Sequence, residues 1–505
     1  MLTQSRNLLT AGNGNDLLKG TDNSDNINGL GGNDTIMGYS GNDTLFGGIG
    51  NDSLDGGVDN DRLQGDAGVD TLVGGSGNDS LDGGKDNDVL RGDNGSDTLN
   101  GGIGADNMTG GDGNDLYFVD NVRDTITESS TRLGGLDSVQ SSVNYVLASN
   151  VEKLTLTGMN NLSGTGSDGA NTIIGNSGDN FLSGMNGNDV LQGGRGDDTL
   201  LGGGGVDTLI GGDGSDTYQV SSLEDIIIET ARDGDQDVVA SSVSYVLGDN
   251  VEVLSLTGSA LDGAGNELDN LIDGNDIGNT LEGNDGADDI QAHGGNDTID
   301  GGAGDDTIDG GDGNDQLIYQ GNQDDYNVTF DADSNTWRVQ DANGTDGDGI
   351  DEGIDSITNV ETFIFANGEI STTEPSTGLP IQNEYVGVSG TDGDNTLIAS
   401  QLLEKLTGGA GYDTFVFAAG ASGTGEGNRD VVTDFEQGVD IISLSSLPGL
   451  SFIGDSDFSG PNQVRYEFDA ATQNTVIQVS SDTTADFEIQ LTGLFPLNSG
   501  DFLLG

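Results

Sequence analysis

Aspartate recurs at every ninth residue over the first quarter of the chain: Asp16, Asp25, Asp34, Asp43, Asp52, Asp61, Asp70, Asp79, Asp88, Asp97, Asp106 and Asp115. Carboxylates held at one fixed spacing, each with a Leu, Ile, Met or Tyr two places later, are oxygen donors awaiting a common partner. Transition metals prefer nitrogen or sulfur, and this chain has no cysteine and a single histidine, His293. The chemistry on offer is therefore oxygen ligation of a hard cation.

The elements that must position these carboxylates follow from the nine-residue unit itself. Twelve units run without a slip from Ala11 to Phe118, reading AGNGNDLLK, GTDNSDNIN, GLGGNDTIM and onward to GGDGNDLYF. Glycine opens eleven of the twelve and fills the fourth place in most, as a tight turn requires. Six residues make the turn, and the remaining three, such as Thr44-Leu45-Phe46, suffice for a short strand with its middle side chain facing one way. One such side chain cannot bury itself alone. The units must stack, two per coil with strands on opposite walls, so that each apolar residue covers the next.

Stacking of that kind sets the carboxylates of successive turns in a row only about 5 Å apart, where like charges repel. A divalent ion between turns relieves this. Calcium takes six to eight oxygens and accepts backbone carbonyls from glycine-rich turns, whereas magnesium retains its water and demands an octahedron. The unit GGxGxDxUx resembles the repeat of the repeat-in-toxin (RTX) family, an established calcium-binding β-helix nonapeptide. Calcium is thus what the resemblance implies, not an independent result, and the resemblance further implies that each ion lies between consecutive turns, held by sixth-place aspartates and turn carbonyls.

The repeat returns three times. Gly166 to Gln219 and Gly265 to Ile318 each hold six units, and Gly390 to Val416 holds three. Their sixth-place aspartates, Asp189, Asp198, Asp207, Asp216, Asp288, Asp297, Asp306, Asp315 and Asp413, join the twelve above as expected calcium ligands. Each of these blocks starts with other residues in that place: Asn171 and Asn180, Asn270 and Asn279, then Asn395 and Glu404. The asparagines read either as capping coils that keep the turn and omit the charge, or as plain divergence.

The expected fold is all-β, with several parallel β-roll calcium-binding blocks joined by β-rich connectors. Its parts are an N-terminal leader (1–10), block 1 (11–118), a connector (119–165), block 2 (166–219), a connector (220–264), block 3 (265–318), a connector with linker (319–389), block 4 (390–417) and a C-terminal domain (418–505). Tyr117 to Gly158 and Tyr218 to Gly258 are related segments with alternating Val, Ile, Tyr and Leu, offset by about a hundred residues, as expected of a duplicated module. The third connector contains the only tryptophan, Trp337, in an expected hairpin and expected core position, and Ser371 to Glu384 reads as a linker. The segment RDVVTDFEQGVDIISLSSL (Arg429 to Leu447) and the terminal DFLLG resemble the C-terminal export region of RTX proteins secreted by the type I route, with Gly505 departing from the commoner apolar end.

Composition narrows the function. Eighty-eight acidic against fourteen basic residues give a formal charge of -74, which argues against nucleic acid and anionic membranes as partners. With 89 glycines and 5% aromatics the metal-free chain is closer to a disordered polymer than to a globular one, so folding should be coupled to calcium. No apolar run is long enough for a membrane span, and Met1 to Thr10 lacks a signal-peptide core. The resemblance implies secretion without a cleaved N-terminal signal, through the type I apparatus, to a calcium-rich exterior. No enzyme is expected: repeats start at residue 11, HExxH and GxSxG are missing, His293 reads as a surface turn residue, and acidic pairs such as Asp305-Asp306 fall in the nonapeptide register and read as metal ligands. The expected function is a secreted structural or cell-surface protein, such as an adhesin, surface-layer component or motility coat. A cell-surface polysaccharide or a second copy of the chain is its candidate partner besides multiple calcium ions. The alternative is a toxin-related or enzyme-related calcium module lacking its effector.

Overall fold

In the computed structural model the described residues are 8–129, 135–229, 236–331, 334–341, 352–366, 368–371, 386–390, 395–399, 404–417, 430–445, 447, 449–456, 458–459, 461–469, 473–480 and 487–504. Outside them lie most of the leader, the linker apart from Ser371, residues 391–394 and 400–403 of the fourth block, residues 418–429 and Gly505. The chain divides into two compact units, residues 1–243 with 248–252, and residues 244–247 with 253–505. Among the described residues all regular structure is β apart from one 3-10 turn, Gln323–Asp325.

In the first unit the nonapeptides wind as expected, two per coil. Within the first block the strands pair in parallel eighteen residues apart: Leu45 faces Leu63, Leu63 faces Leu81, and Leu81 faces Leu99 on one wall. Ile36, Leu54, Leu72, Leu90 and Met108 form the matching column on the other. These eighth-place side chains are at most 1% exposed. They are the core. One apolar residue per nine is a sparse interior, and full burial of each contributes about 1.5–3 kcal/mol.

Most strands of the first block are longer than the three residues expected. Thr44–Ile49, Ser53–Val58 and Arg62–Ala67 each run six, because the second-place residue takes a positive φ (Gly48 at 107°, Gly57 at 109°) that lets the third place resume pairing, as Ile49 does with Ala67. The expected division into six turn residues and three strand residues is corrected accordingly. The third block keeps the short form, as in Thr298–Asp300 and Thr307–Asp309.

The parallel ladder runs on through the first connector. Leu116–Val119 pairs with Ser138–Ser141, which pairs with Lys153–Leu156, which pairs with Thr172–Ile174 of the second block. One wall is continuous while the other stops at Thr125–Thr127 and a new sheet starts at Tyr145–Val146.

In the second unit the same parallel pairing carries the third block, Ile272 to Ile290 to Ile308 on one wall and Leu281 to Ile299 to Leu317 on the other. Antiparallel strands then take over. Tyr326–Asp331 and Thr336–Asp341 form the expected hairpin, and Trp337, 4% exposed, packs on Phe330 and edge-on against Phe363. At the other end of this unit Phe502–Leu504 pairs in parallel with Ile441–Leu444, so the DFLL stretch is a sheet strand with Asp501 and Phe502 buried.

Candidate metal centre

Parallel stacking at eighteen residues brings the sixth-place aspartates into two columns. In each, one carboxylate oxygen, Oδ1, accepts the backbone N–H of the aspartate one coil earlier. Asp34 N–H donates to Asp52, Asp52 to Asp70 and Asp70 to Asp88, at 2.7, 2.7 and 2.8 Å. Asp43 donates to Asp61, Asp61 to Asp79 and Asp79 to Asp97, at 2.7, 2.8 and 2.8 Å. The second block repeats this from Asp189 to Asp207 and Asp198 to Asp216, and the third from Asp288 to Asp306 and Asp297 to Asp315.

The other oxygen, Oδ2, is buried and has no hydrogen-bond partner. Among the described residues this holds for ten aspartates of the first block, from Asp34 to Asp115, and for all four in each of the second and third. A buried carboxylate oxygen without a partner costs more than almost any other polar group. Eighteen in register are tolerable only with a counter-charge. The donor set is carboxylate plus backbone carbonyl, which suits calcium.

Glycine at the first place keeps that oxygen accessible. A β-carbon on Gly47 would lie 2.5 Å from Asp52 Oδ2 and 2.9 Å from the Gly65 carbonyl oxygen, and one on Gly38 would lie 2.2 Å from Asp43 Oδ2 and 2.6 Å from the Gly56 oxygen. The carboxylate of one turn and the carbonyl of the next coil thus converge on a space that any larger residue would fill.

Charge pushes in the same direction. Burial, and after it the neighbouring carboxylates, raise the Asp61, Asp88 and Asp97 carboxyls to about 7 against the lowering effect of the backbone N–H. Asp198, Asp216 and Asp288 also rise to about 7. These six carboxyls therefore give up their protons less readily than exposed aspartates do, because burial disfavours the charged form.

The remaining expected ligands sit differently. Asp16 and Asp25 lie on the leading coil, where Oδ2 accepts N–H from Gly12 and Thr21 within its own turn. Asp413 is buried and in the ladder, accepting from Asn395 N–H; the Glu404 side chain is outside the described residues. His293 is exposed and holds Asp273 at 2.5 Å, with the positive φ of 70° that its place in the turn requires.

The ladder also recruits carboxylates that the sequence reading missed. Asp106 donates to Asp124, Asp115 to Asp137, Asp207 to Asp225, Asp216 to Asp237, Asp306 to Asp355, Asp315 to Glu361 and Asp413 to Asp440. Asp124 and Asp225 had a legible signal. Each stands nine residues after the last counted aspartate, two places before a ladder isoleucine, Ile126 or Ile227. Their units were overlooked because they lack glycine. Asp440 also keeps the count, 27 residues after Asp413 and two places before the ladder residue Ile442, whereas Asp137, Asp237, Asp355 and Glu361 follow segments that break it.

The family model described as RTX calcium-binding nonapeptide repeat (4 copies) matches in overlapping windows over residues 3–126, 165–218 and 282–317, together under half of the chain. No curated protein matches. Among solved structures, the extracellular lipase LipA from Serratia marcescens is similar at 19% identity and a TM-score of 0.21, over 54% of this chain and 45% of the lipase chain. Among the described residues no helix is long and apolar enough to cross a membrane.

Proposed function

From the premise that the chain is a repeat-in-toxin protein whose nonapeptide blocks bind multiple calcium ions, we propose that it is a secreted structural or cell-surface protein that folds when it meets extracellular calcium. The observation that carries this reading is the row of eighteen buried aspartate oxygens with no hydrogen-bond partner. In the proposal these aspartates, with the carbonyls of the adjacent coil, are the calcium ligands. Bound calcium neutralises the columns and lets the coils close.

Secretion is supported by the coupling itself. Extracellular calcium modules bind in the 10⁻⁴–10⁻³ M range, so the chain would stay unfolded and threadable where calcium is scarce, then fold outside. The C-terminal segment would address it to the type I apparatus, and a surface polysaccharide or another copy of the chain would retain it at the cell. A non-enzymatic role fits a chain whose buried sixth-place aspartates are taken up by the ladder.

Circular dichroism of the whole chain during a calcium titration tests the reading. At pH 7.5 strand content should rise with calcium and vanish in EDTA; full strand content in excess EDTA at that pH would overturn it. Asp52→Ala with Asp61→Ala should lower the stoichiometry measured by calorimetry, and an unchanged count would remove the ligand assignment. Deletion of residues 413–505 should abolish export.

A further inference from the structure

The last aspartate of the first block meets two carboxylates from the connector. Asp115, Glu128 and Asp137 each offer an oxygen, all within 4.8 Å of one another, and each residue is at most 9% exposed. The same arrangement recurs one module later, with Asp216, Glu229 and Asp237. Neither Glu128 nor Glu229 belongs to the nonapeptide register, so these clusters differ in kind from the repeat sites.

The oxygens point at one spot. A β-carbon placed on Gly110 would lie 2.1 Å from Asp115 Oδ2, 2.3 Å from the Tyr117 hydroxyl and 2.5 Å from Glu128 Oε1. On Gly211 the corresponding distances are 2.1 Å to Asp216 Oδ2, 2.1 Å to the Tyr218 hydroxyl and 2.5 Å to Glu229 Oε1. Asp115 Oδ2 and Asp216 Oδ2, on side chains 2% and 0% exposed, have no hydrogen-bond partner. The other members are held in place. Tyr117 donates its hydroxyl to Glu128 Oε1 and Tyr218 donates to Glu229 Oε1. Asp137 Oδ1 accepts Asp115 N–H at 2.7 Å, while Asp137 N–H donates to Glu152 at 2.8 Å. Among the described residues no lysine or arginine pairs with Asp115, Glu128 or Asp137.

We propose that each cluster is a calcium site of its own, distinct from the repeat sites, that locks the end of a nonapeptide block to the connector behind it and fills before the repeats do. It rests on the calcium reading above. Three carboxylates within 4.8 Å match the span across one calcium ion with oxygens at about 2.4 Å. A repeat turn supplies one carboxylate per coil and relies on carbonyls; these sites supply three, from the last repeat, the strand-end Glu and the returning strand. Calcium affinity rises with ligand charge and rigidity, so the block ends are the tight sites. Filling them would join the wall that stops at Thr127 to the wall that continues at Ser138.

The test is calcium calorimetry on the whole chain, comparing wild type with Glu128→Gln/Glu229→Gln. Wild type should show a tight class of two ions above the many weaker ones. The double variant should lose that class, with affinity down at least about tenfold at those sites, yet reach the wild-type strand signal at saturating calcium. Asp52→Asn/Asp61→Asn should instead thin the weaker class. If the double variant titrates like wild type, or loses ions only from the weak class, the inference falls. Should the double variant fail to fold, the single variants Glu128→Gln and Glu229→Gln must each lose one tight ion, and an intact tight class in both overturns it. A wild-type chain that binds no calcium would remove the function proposed above instead.

Discussion

The interior coils of the first block and the leading coils of the second and third solve one problem in two ways. At Asp52 or Asp61 the sixth-place side chain gives one oxygen to the ladder and leaves the other buried without a partner. At Asn171 the oxygen accepts Ser167 N–H at 2.6 Å, and the amide nitrogen donates to the Val151 carbonyl at 3.0 Å. Asn180 and Asn279 do the same with Asn176 N–H and Leu162 O, and with Asn275 N–H and Ala260 O. Asparagine closes its hydrogen bonds within the protein; aspartate leaves one oxygen without a partner there, the oxygen that the proposed function gives to calcium. The asparagines therefore keep the turn without a partnerless carboxylate oxygen, and the turn geometry alone does not create the calcium demand.

Chelation should break the comparison most severely. In EDTA at pH 7.5 the aspartate coils lose their counter-charge, and the near-complete loss of strand signal by circular dichroism is expected; the asparagine units, two each in the second and third blocks, are too few to stand alone.

Acid should partly replace the ion. The Asp61, Asp88 and Asp97 carboxyls are raised to about 7 in the fold, above an unfolded value near 4. The metal-free fold then binds more protons than the unfolded chain, so its stability falls as pH rises from about 4 to 7 and is lowest above that window. Lowering pH from 7.5 to 5 in EDTA should restore strand content, and calcium affinity should fall over the same range. A flat pH response in EDTA would contradict the burial of these acids.

Leu63→Ala probes the part common to both kinds of coil. Leu63 is fully buried between Leu45 and Leu81, and its truncation should cost about 2–5 kcal/mol, read as a lower midpoint in urea at saturating calcium. Exchanging the two solutions sharpens the contrast with a smaller effect. Asn171→Asp sets a carboxylate oxygen against the Val151 carbonyl and should destabilise by about 1–3 kcal/mol, measured as a lower Tm at fixed calcium. An unchanged Tm would mean that the asparagines are not needed where they stand.

Much of this was legible because a solenoid makes distance in sequence equal to position in space. Two nonapeptides per coil, Leu45 over Leu63, the aspartate columns and the buried Trp337 all follow from period, glycine and apolar placement. The legible part ended where the period did. Glu128 and Asp137 reach the end of the first block only because loops of unequal length return the chain to the ladder, and no nine-residue count finds them. Six-residue strands were missed because the positive φ at Gly48 resumes pairing where a turn was expected.

By itself the sequence determined the repeat unit, its charge and the oxygen chemistry, since these depend on residue type and spacing alone. Which oxygen of each aspartate is spent on a backbone N–H and which is left over, and which distant carboxylates join the block ends, was decided only by tertiary structure. Those choices depend on the eighteen-residue register between coils, which exists only once the coils are stacked.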